Sequence, residues 1–162
     1  MSHVHPSDLS PHRIRNALFQ PQIAPNTGNI ARLCVATGTE LHLVRPLGFV
    51  LSDRELRRSA MDYWPRLKLT VHDDTAAFLS FAGETRLWLF STRGRRSLWQ
   101  ADFRDGDFLI FGSETRGIDD AMLARHPESV LRIPQSPDER CLNLSTAAGI
   151  ALYEALRQVL MG

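Results

Sequence analysis

The chain has 162 residues with a formal net charge of +1, 43% apolar and 23% charged. That length supports one hydrophobic core and leaves little room for two, and the composition excludes a disordered chain. No apolar run approaches the roughly 20 residues that a membrane helix needs, and the near-neutral total excludes a protein held to nucleic acid by overall charge alone.

Residues 1–13, with His3, His5 and His12 among Pro6 and Pro11, read as a mobile tail rather than a metal site, so the domain is expected over 14–162. The start carries no basic segment followed by an apolar one, which makes the expected compartment cytoplasmic. Leu18 and Phe19 close a first strand, and a helix over 29–37 ends at Gly38 in the left-handed conformation. A strand over 41–45 follows. Ser52 with Glu55 three residues later forms a capping box for a helix through 59. Next come a strand over 66–71, a helix over 74–81 stopped by Gly83, and strands over 86–91 and 108–111. A short helix from Asp119, a strand over 130–133 and a long helix from Asn143 complete the pattern. Strands alternating with helices at this spacing predict an α/β fold, a mainly parallel sheet with helices on both faces. Ligands of such sheets bind beyond the strand carboxyl ends.

The loops at those ends carry the chemistry. After the apolar run Phe108-Leu109-Ile110-Phe111, Gly112 and Gly117 bracket Glu114 and Arg116. Glycine permits close backbone approach or positive φ, and the opposed charges suit a polar, zwitterionic or anionic ligand. A surface turn in which Glu114 and Arg116 pair is the alternative. Two further loops, at 25–29 and 133–145, would converge on the same place; the second is stiffened by Pro134 and Pro137. No G-x-G-x-x-G follows the first strand and no G-x-x-x-x-G-K-[ST] occurs, which excludes ordinary Rossmann dehydrogenases and P-loop NTPases. Arg54, Arg57 and Arg58 form one basic cluster, and Arg93, Arg95 and Arg96 another; each is either solvated charge or a phosphate contact. Tyr63 and Trp64 either pack a helix end or stack on a base. Cys34 and Cys141 are isolated, fit neither a disulfide framework nor a zinc site, and are expected as free thiols.

Asn26-Thr27-Gly28-Asn29-Ile30-Ala31-Arg32, Phe111-Gly112-Ser113-Glu114-Thr115-Arg116-Gly117 and Leu142-Asn143-Leu144-Ser145-Thr146-Ala147-Ala148 resemble, in order and spacing, the three motifs of the SpoU/TrmH class of SPOUT RNA ribose 2'-O-methyltransferases. Leu56-Arg57-Arg58-Ser59-Ala60-Met61-Asp62-Tyr63 resembles a helix of the small subgroup that modifies the wobble nucleotide of tRNA. The resemblance covers about residues 14–160. It implies a C-terminal trefoil knot, S-adenosyl-L-methionine as cofactor, tRNA as partner, a homodimer, and no metal or membrane.

By the same resemblance the cofactor is held at Phe90, Gly112, Ile133 and Cys141, largely through backbone groups. Serine is usual in the family where Cys141 stands. Arg32 is expected nearest the reacting hydroxyl; a guanidinium is a poor base, so its work is alignment of the ribose and its phosphate. Glu114 would orient Arg32 or the loop, and Asn143 and Ser145 would fix the site. The small residues Ala147, Ala148, Gly149, Ala151 and Ala155 suit either tight internal packing or a helix interface between subunits. With no room for a separate RNA-binding domain, the catalytic domain and its twin would contact RNA. Methylation of another tRNA or ribosomal RNA site, and a non-catalytic RNA-binding knot, are the rival functions.

Overall fold

In the computed structural model, residues 8–52 and 62–162 are described. The basic cluster at Arg54, Arg57 and Arg58, the helix expected to follow Ser52, and most of the segment 56–63 lie outside them, as do His3 and His5.

Strands β1 (Arg15–Phe19), β2 (Glu40–Val44), β3 (Leu69–His72), β4 (Leu87–Phe90), β5 (Arg96–Ser97), β6 (Phe108–Phe111) and β7 (Val130–Arg132) form one seven-stranded sheet in the order β3-β2-β1-β6-β4-β7-β5. Every pairing is parallel. Helices α1 (Ala24–Thr37), α2 (Thr75–Ala82), α3 (Asp120–Arg125) and α4 (Leu144–Met161) connect or follow the strands. Parallel strands place all carboxyl ends on one edge, and the register keeps them level: Leu18 stands opposite Leu43 and Phe111, and Phe90 opposite Phe111 and Leu131.

The alternation of side chains along each strand explains why helices cover both faces. Leu18, Trp88, Phe90, Leu109 and Phe111 turn one way and join a core with Ile30 and Cys34 of α1 and Ala148, Ala151 and Leu152 of α4. Ala17, Phe19, Leu89, Phe108 and Ile110 turn the other way, onto Phe78 of α2 and Met122 of α3. Leu152 and Leu156 are buried on α4, contributing about 1.5–3 kcal/mol each. Burial pushes the Cys34 thiol up to about 12, so this cysteine is inert packing.

Ala148, Ala151 and Ala155 are fully buried within the chain. The small side of α4 therefore serves internal packing, letting the helix lie close over α1, where a Cβ on Gly149 would meet Leu33 Cδ2 at 3.9 Å. Ala148, Ala151 and Ala155 are therefore not exposed to a second subunit, whereas Ala147 and Gly149 are half-buried.

Some boundaries differ from the sequence reading. Helix α1 begins at Ala24, so Asn26, Thr27 and Gly28 lie in its first turns and not in a loop. Pro25 is compatible with this start, since its fixed φ suits the first helical turn and its missing N–H has no partner to lose there. Strand β5, two residues long at the sheet edge, has no counterpart among the elements expected from the sequence. Asp74 and Asp119, read as the first residues of their helices, are the caps of α2 and α3, accepting from the backbone N–H groups of Ala77 and Met122. Of the tail segment, His12 bonds the Thr37 carbonyl at the end of α1 at 2.7 Å and Arg13 pairs with Asp105 before β6 at 3.2 Å, so both are tied to the folded domain.

Strand β7 lies between β4 and β5, which follow one another in sequence. Phe90 and Arg96 stand on opposite sides of Leu131, so the connection 91–95 must cross a face of β7. The Ser91 N–H donates to the Leu131 carbonyl at 3.0 Å. At Gly94 a Cβ would come within 2.7 Å of the Leu131 carbonyl carbon and 2.8 Å of the Arg132 nitrogen, so glycine is required for the crossing.

On the α2 face, His42 Nδ1 and His72 Nε2 share a hydrogen bond of 3.0 Å beside Phe78, Phe81 and Phe108. Glu40 stands 3.4 Å from His42 Nε2, and Arg15 is the nearby cation. Burial pushes His42 down to about 4, against the opposing pull of Glu40, and also lowers His72. Between about 4 and the ordinary value of 6.5, the unfolded chain binds more protons than the folded one. This contribution to stability is complete above pH 6.5 and is lost as pH falls towards 4. Urea unfolding should show lower stability at pH 5 than at pH 7, and the His42 ring protons should not titrate near 6.5. A His42 midpoint at the ordinary value would contradict the burial argument.

Candidate functional site

A cavity of about 410 Å³ opens beyond the carboxyl ends of β4, β6 and β7. Phe90, Gly112, Ile133 and Cys141, the residues expected at a cofactor, all stand on its wall together with Glu114 and Asn143. The rings of Phe90 and Phe111 stack at 4.8 Å with an interplanar angle of 10°, which gives the cavity a flat apolar base.

The loop 112–117 is a closed turn. Gly117, at φ 67°, donates its N–H to the Ser113 carbonyl at 2.9 Å, and the Arg116 N–H donates to Ser113 Oγ at 3.2 Å. A Cβ on Gly112 would lie 2.0 Å from the Gly117 carbonyl carbon. Glycine is thus required first by the loop's own return, and the open backbone beside the cavity follows from that.

Glu114 does not pair with Arg116. Its Oε2 accepts from the Gln22 N–H at 2.7 Å, and Oε1 accepts from the Ile23 N–H at 3.0 Å and Asn26 Nδ2 at 3.5 Å. These amides precede and open α1, where a carboxylate also meets the positive end of the helix dipole. The Gln22 side chain returns the contact: its Oε1 accepts from the Thr115 N–H at 3.3 Å and the Thr115 hydroxyl at 2.6 Å. The expected orientation of Arg32 by Glu114 is absent, because the carboxylate is engaged by the segment before α1.

Asn143 caps α4, its Oδ1 accepting from the Ser145 N–H at 2.9 Å, the Thr146 N–H at 3.4 Å and the Ser145 hydroxyl at 2.7 Å. Its Nδ2 donates to Asn26 Oδ1 at 3.1 Å. A continuous chain of bonds therefore runs from Glu114 through Asn26 to Asn143 and Ser145, and joins the loop 112–117, the first turn of α1 and the start of α4. Asn26 belongs to the first motif but has no role that the motif alone implies. A signal was available: asparagine is a poor helix former, and one inside a first turn needs a side-chain task.

Arg32 lies apart from this group. It is exposed, stands off the cavity wall, and is about 9 Å along the α1 axis from Asn26 at the ordinary helical rise. Its neighbour is Tyr63, whose hydroxyl donates to the Gly28 carbonyl at 3.3 Å. Burial raises the Tyr63 phenol and the nearby Arg32 charge opposes the rise. Tyr63 and Trp64 both pack against the core beside α1, which is the packing reading of that pair. In the second basic cluster, Arg93 is bonded to Asp120, and Arg96 to the carbonyls of Glu128 and Gln100. Among the described residues, no group of three or more His, Cys, Asp or Glu side chains can hold a metal ion, and no helix is long and apolar enough to cross a membrane.

The SpoU rRNA methylase family matches residues 13–153. The tRNA (cytidine(34)-2'-O)-methyltransferase of Saccharophagus degradans is 45% identical over 143 residues, 88% of this chain and 93% of its own. The Escherichia coli K12 protein of the same name is 44% identical, over 88% of this chain and 91% of its own. A solved structure from work on the 2-OH methylation of C/U34 on tRNA superposes with a TM-score of 0.88 at 49% identity, covering 92% of this chain and 97% of that one. An AdoMet-bound rRNA methyltransferase from Sinorhizobium meliloti superposes with a TM-score of 0.83 at 25% identity, over 94% of this chain and 59% of that one.

The bonds to Glu114 make a stability prediction. Glu114→Ala removes the acceptors of two backbone amides and should destabilise the protein by about 2–3 kcal/mol, since hydrogen bonds to charged groups are worth about 1.5–3 kcal/mol each and water recovers part of the loss. Glu114→Gln keeps one acceptor oxygen and should lose about half as much. Urea denaturation measures both, and a Glu114→Ala protein as stable as the parent would show that the carboxylate does not hold α1.

Proposed function

Because the chain belongs to the SpoU rRNA methylase family, which spans residues 13–153 of it, we propose that it transfers a methyl group from S-adenosylmethionine to the ribose 2'-hydroxyl of the wobble nucleotide, position 34, of tRNA. The observation that carries this reading is the bonding of Glu114, Asn26 and Asn143, which assembles the three motif loops into one cavity wall. Relatives at 44% and 45% identity over most of the chain bear the name of that activity.

The cavity fits the cofactor. Its volume of about 410 Å³ lies within the ordinary range of small-molecule sites, and stacked aromatic rings beside open loop backbone suit a planar base with polar edges. S-adenosylmethionine supplies an electrophilic sulfonium methyl when bound. Phe90, Gly112, Ile133 and Cys141 would hold it, Cys141 through its backbone in place of the usual serine. Glu114, Asn143 and Ser145 act by holding the three loops in register, so that the hydroxyl and the methyl carbon meet in line without further ordering. Ser145 spends its hydroxyl on Asn143 and is a support.

Arg32 is the residue that meets the RNA. It stays protonated, so it aligns the ribose and adjoining phosphate rather than accepting the proton. Its exposed place on α1 means that the RNA arrives over that helix surface. Residues 91–95 crossing β7 at Gly94 support a trefoil knot closed by the chain that follows β7. A homodimer would use the outward side of α4, where Ile150 and Tyr153 are 41% and 54% exposed and three positions apart on one face. The protein would act in the cytoplasm, where tRNA is modified.

Nucleoside mass analysis of tRNA from a strain lacking the protein should show loss of 2'-O-methylation at position 34; loss at another tRNA or ribosomal RNA position would reassign the substrate. Arg32→Ala should leave cofactor affinity near wild type while single-turnover methyl transfer falls by about 100-fold or more. Normal transfer would leave Arg32 as surface charge. Tyr153→Asp combined with Ile150→Asp should sediment as a monomer where the parent is a dimer, and an unchanged dimer would move the interface off α4.

A further inference from the structure

Arg116 has no work in the arrangement described above. It lines the cavity and is exposed, whereas Phe90, Phe111 and Gly112 at the base are buried. Apart from its backbone N–H on Ser113 Oγ, Arg116 makes no hydrogen bond or ion pair with the described residues. Arg93 on the same wall differs, being held by Asp120 and the Ile118 carbonyl. The backbone that presents Arg116 is fixed, by the Ser113 to Gly117 turn and by the grip of Glu114 and Thr115 on the segment before α1. A fixed base with an unengaged guanidinium is suited to an anion arriving from outside, because no internal partner has to be given up.

We propose that Arg116 is a positioning residue that grips a phosphate of the tRNA backbone beside the target nucleotide; this rests on the tRNA methyltransferase reading. The base of the cavity accounts for the cofactor, and its exposed rim is where a polyanion crosses. A guanidinium binds phosphate through charge and paired N–H donors. Glu114, two positions earlier, ties this turn to α1, and α1 carries Arg32. A phosphate held by Arg116 therefore sets the RNA against Arg32, and the ribose between them is aligned by two cations on one rigid unit.

Methylation and binding of tRNA would be measured over a range of salt concentrations for the wild-type protein, Arg116→Ala and Arg116→Lys, with S-adenosylmethionine affinity determined by calorimetry in parallel. Arg116 makes no side-chain hydrogen bond or ion pair with the described residues, so both variants are expected to fold. For Arg116→Ala the expected result is a rise in KM for tRNA of about tenfold, a smaller change in kcat, and a slope of log affinity against log salt that is shallower by about one charge. Cofactor affinity should not move. Arg116→Lys should restore the slope and part of KM, because phosphate accepts a point charge. An unchanged KM and salt slope in Arg116→Ala would overturn the proposal, as would a loss of S-adenosylmethionine affinity, which would place Arg116 on the cofactor. If the wild-type protein neither binds nor methylates tRNA, the functional reading fails and this inference fails with it.

Discussion

The amides of Gln22 and Ile23 point out of the start of α1 with no helical acceptor, and the carboxylate of Glu114 takes both. Burying or crowding such donors without a partner would cost about 1–3 kcal/mol each, so the contact anchors the loop after β6 to the helix after β1. Everything else in the site is referred to that anchor. Asn26 is carried on the anchored turn, and through Asn26 the cap residue of α4 is brought into the same bonded chain. The residues thus hold together three segments that are far apart in sequence.

The sheet makes the convergence possible. Parallel strands in level register deliver β1, β4, β6 and β7 to one edge together, and insertion of β7 between β4 and β5 brings the loop 133–143 across to the cavity. Gly94 and Gly112 stand where the chain meets itself. A Cβ at Gly94 would strike β7, and one at Gly112 would strike the return of its own loop. Both contacts are against backbone, which has no rotamer by which to move aside, so the constraint on each position is strict. The cavity inherits its open backbone surface at Gly112 from that close crossing.

The last helix separates two demands that look alike in a sequence. Its alanines at 148, 151 and 155 are wholly buried against α1 and the sheet, while Ile150 and Tyr153 are turned outward. Small residues report close approach of something, and their identity alone does not tell whether it is the same chain or another. Here α1 occupies the space. Likewise the acid and base of the loop 112–117 suggested a surface ion pair as readily as a ligand loop. In the structure they divide the work, Glu114 turned towards α1 and Arg116 left exposed at the rim.

The alternation of strand and helix, the apolar runs of β4 and β6, the helix starts near Asp74, Asp119 and Asn143 and the left-handed Gly38 were legible in the sequence, because each rests on contacts within a few residues. The motif resemblance identified the family and most of the cavity wall. The early start of α1, the two-residue β5, the buried side of α4 and the task of Asn26 were not legible. Each depends on a partner dozens of residues away: Glu114 for the start of α1, β7 for β5, α1 for α4, and Asn143 for Asn26. Local patterns determined which elements exist and which chemistry they carry, whereas the pairing of distant polar groups and the space left between packed helices were decided by the tertiary structure, since hydrogen-bond geometry and excluded volume belong to the folded chain and not to any segment of it.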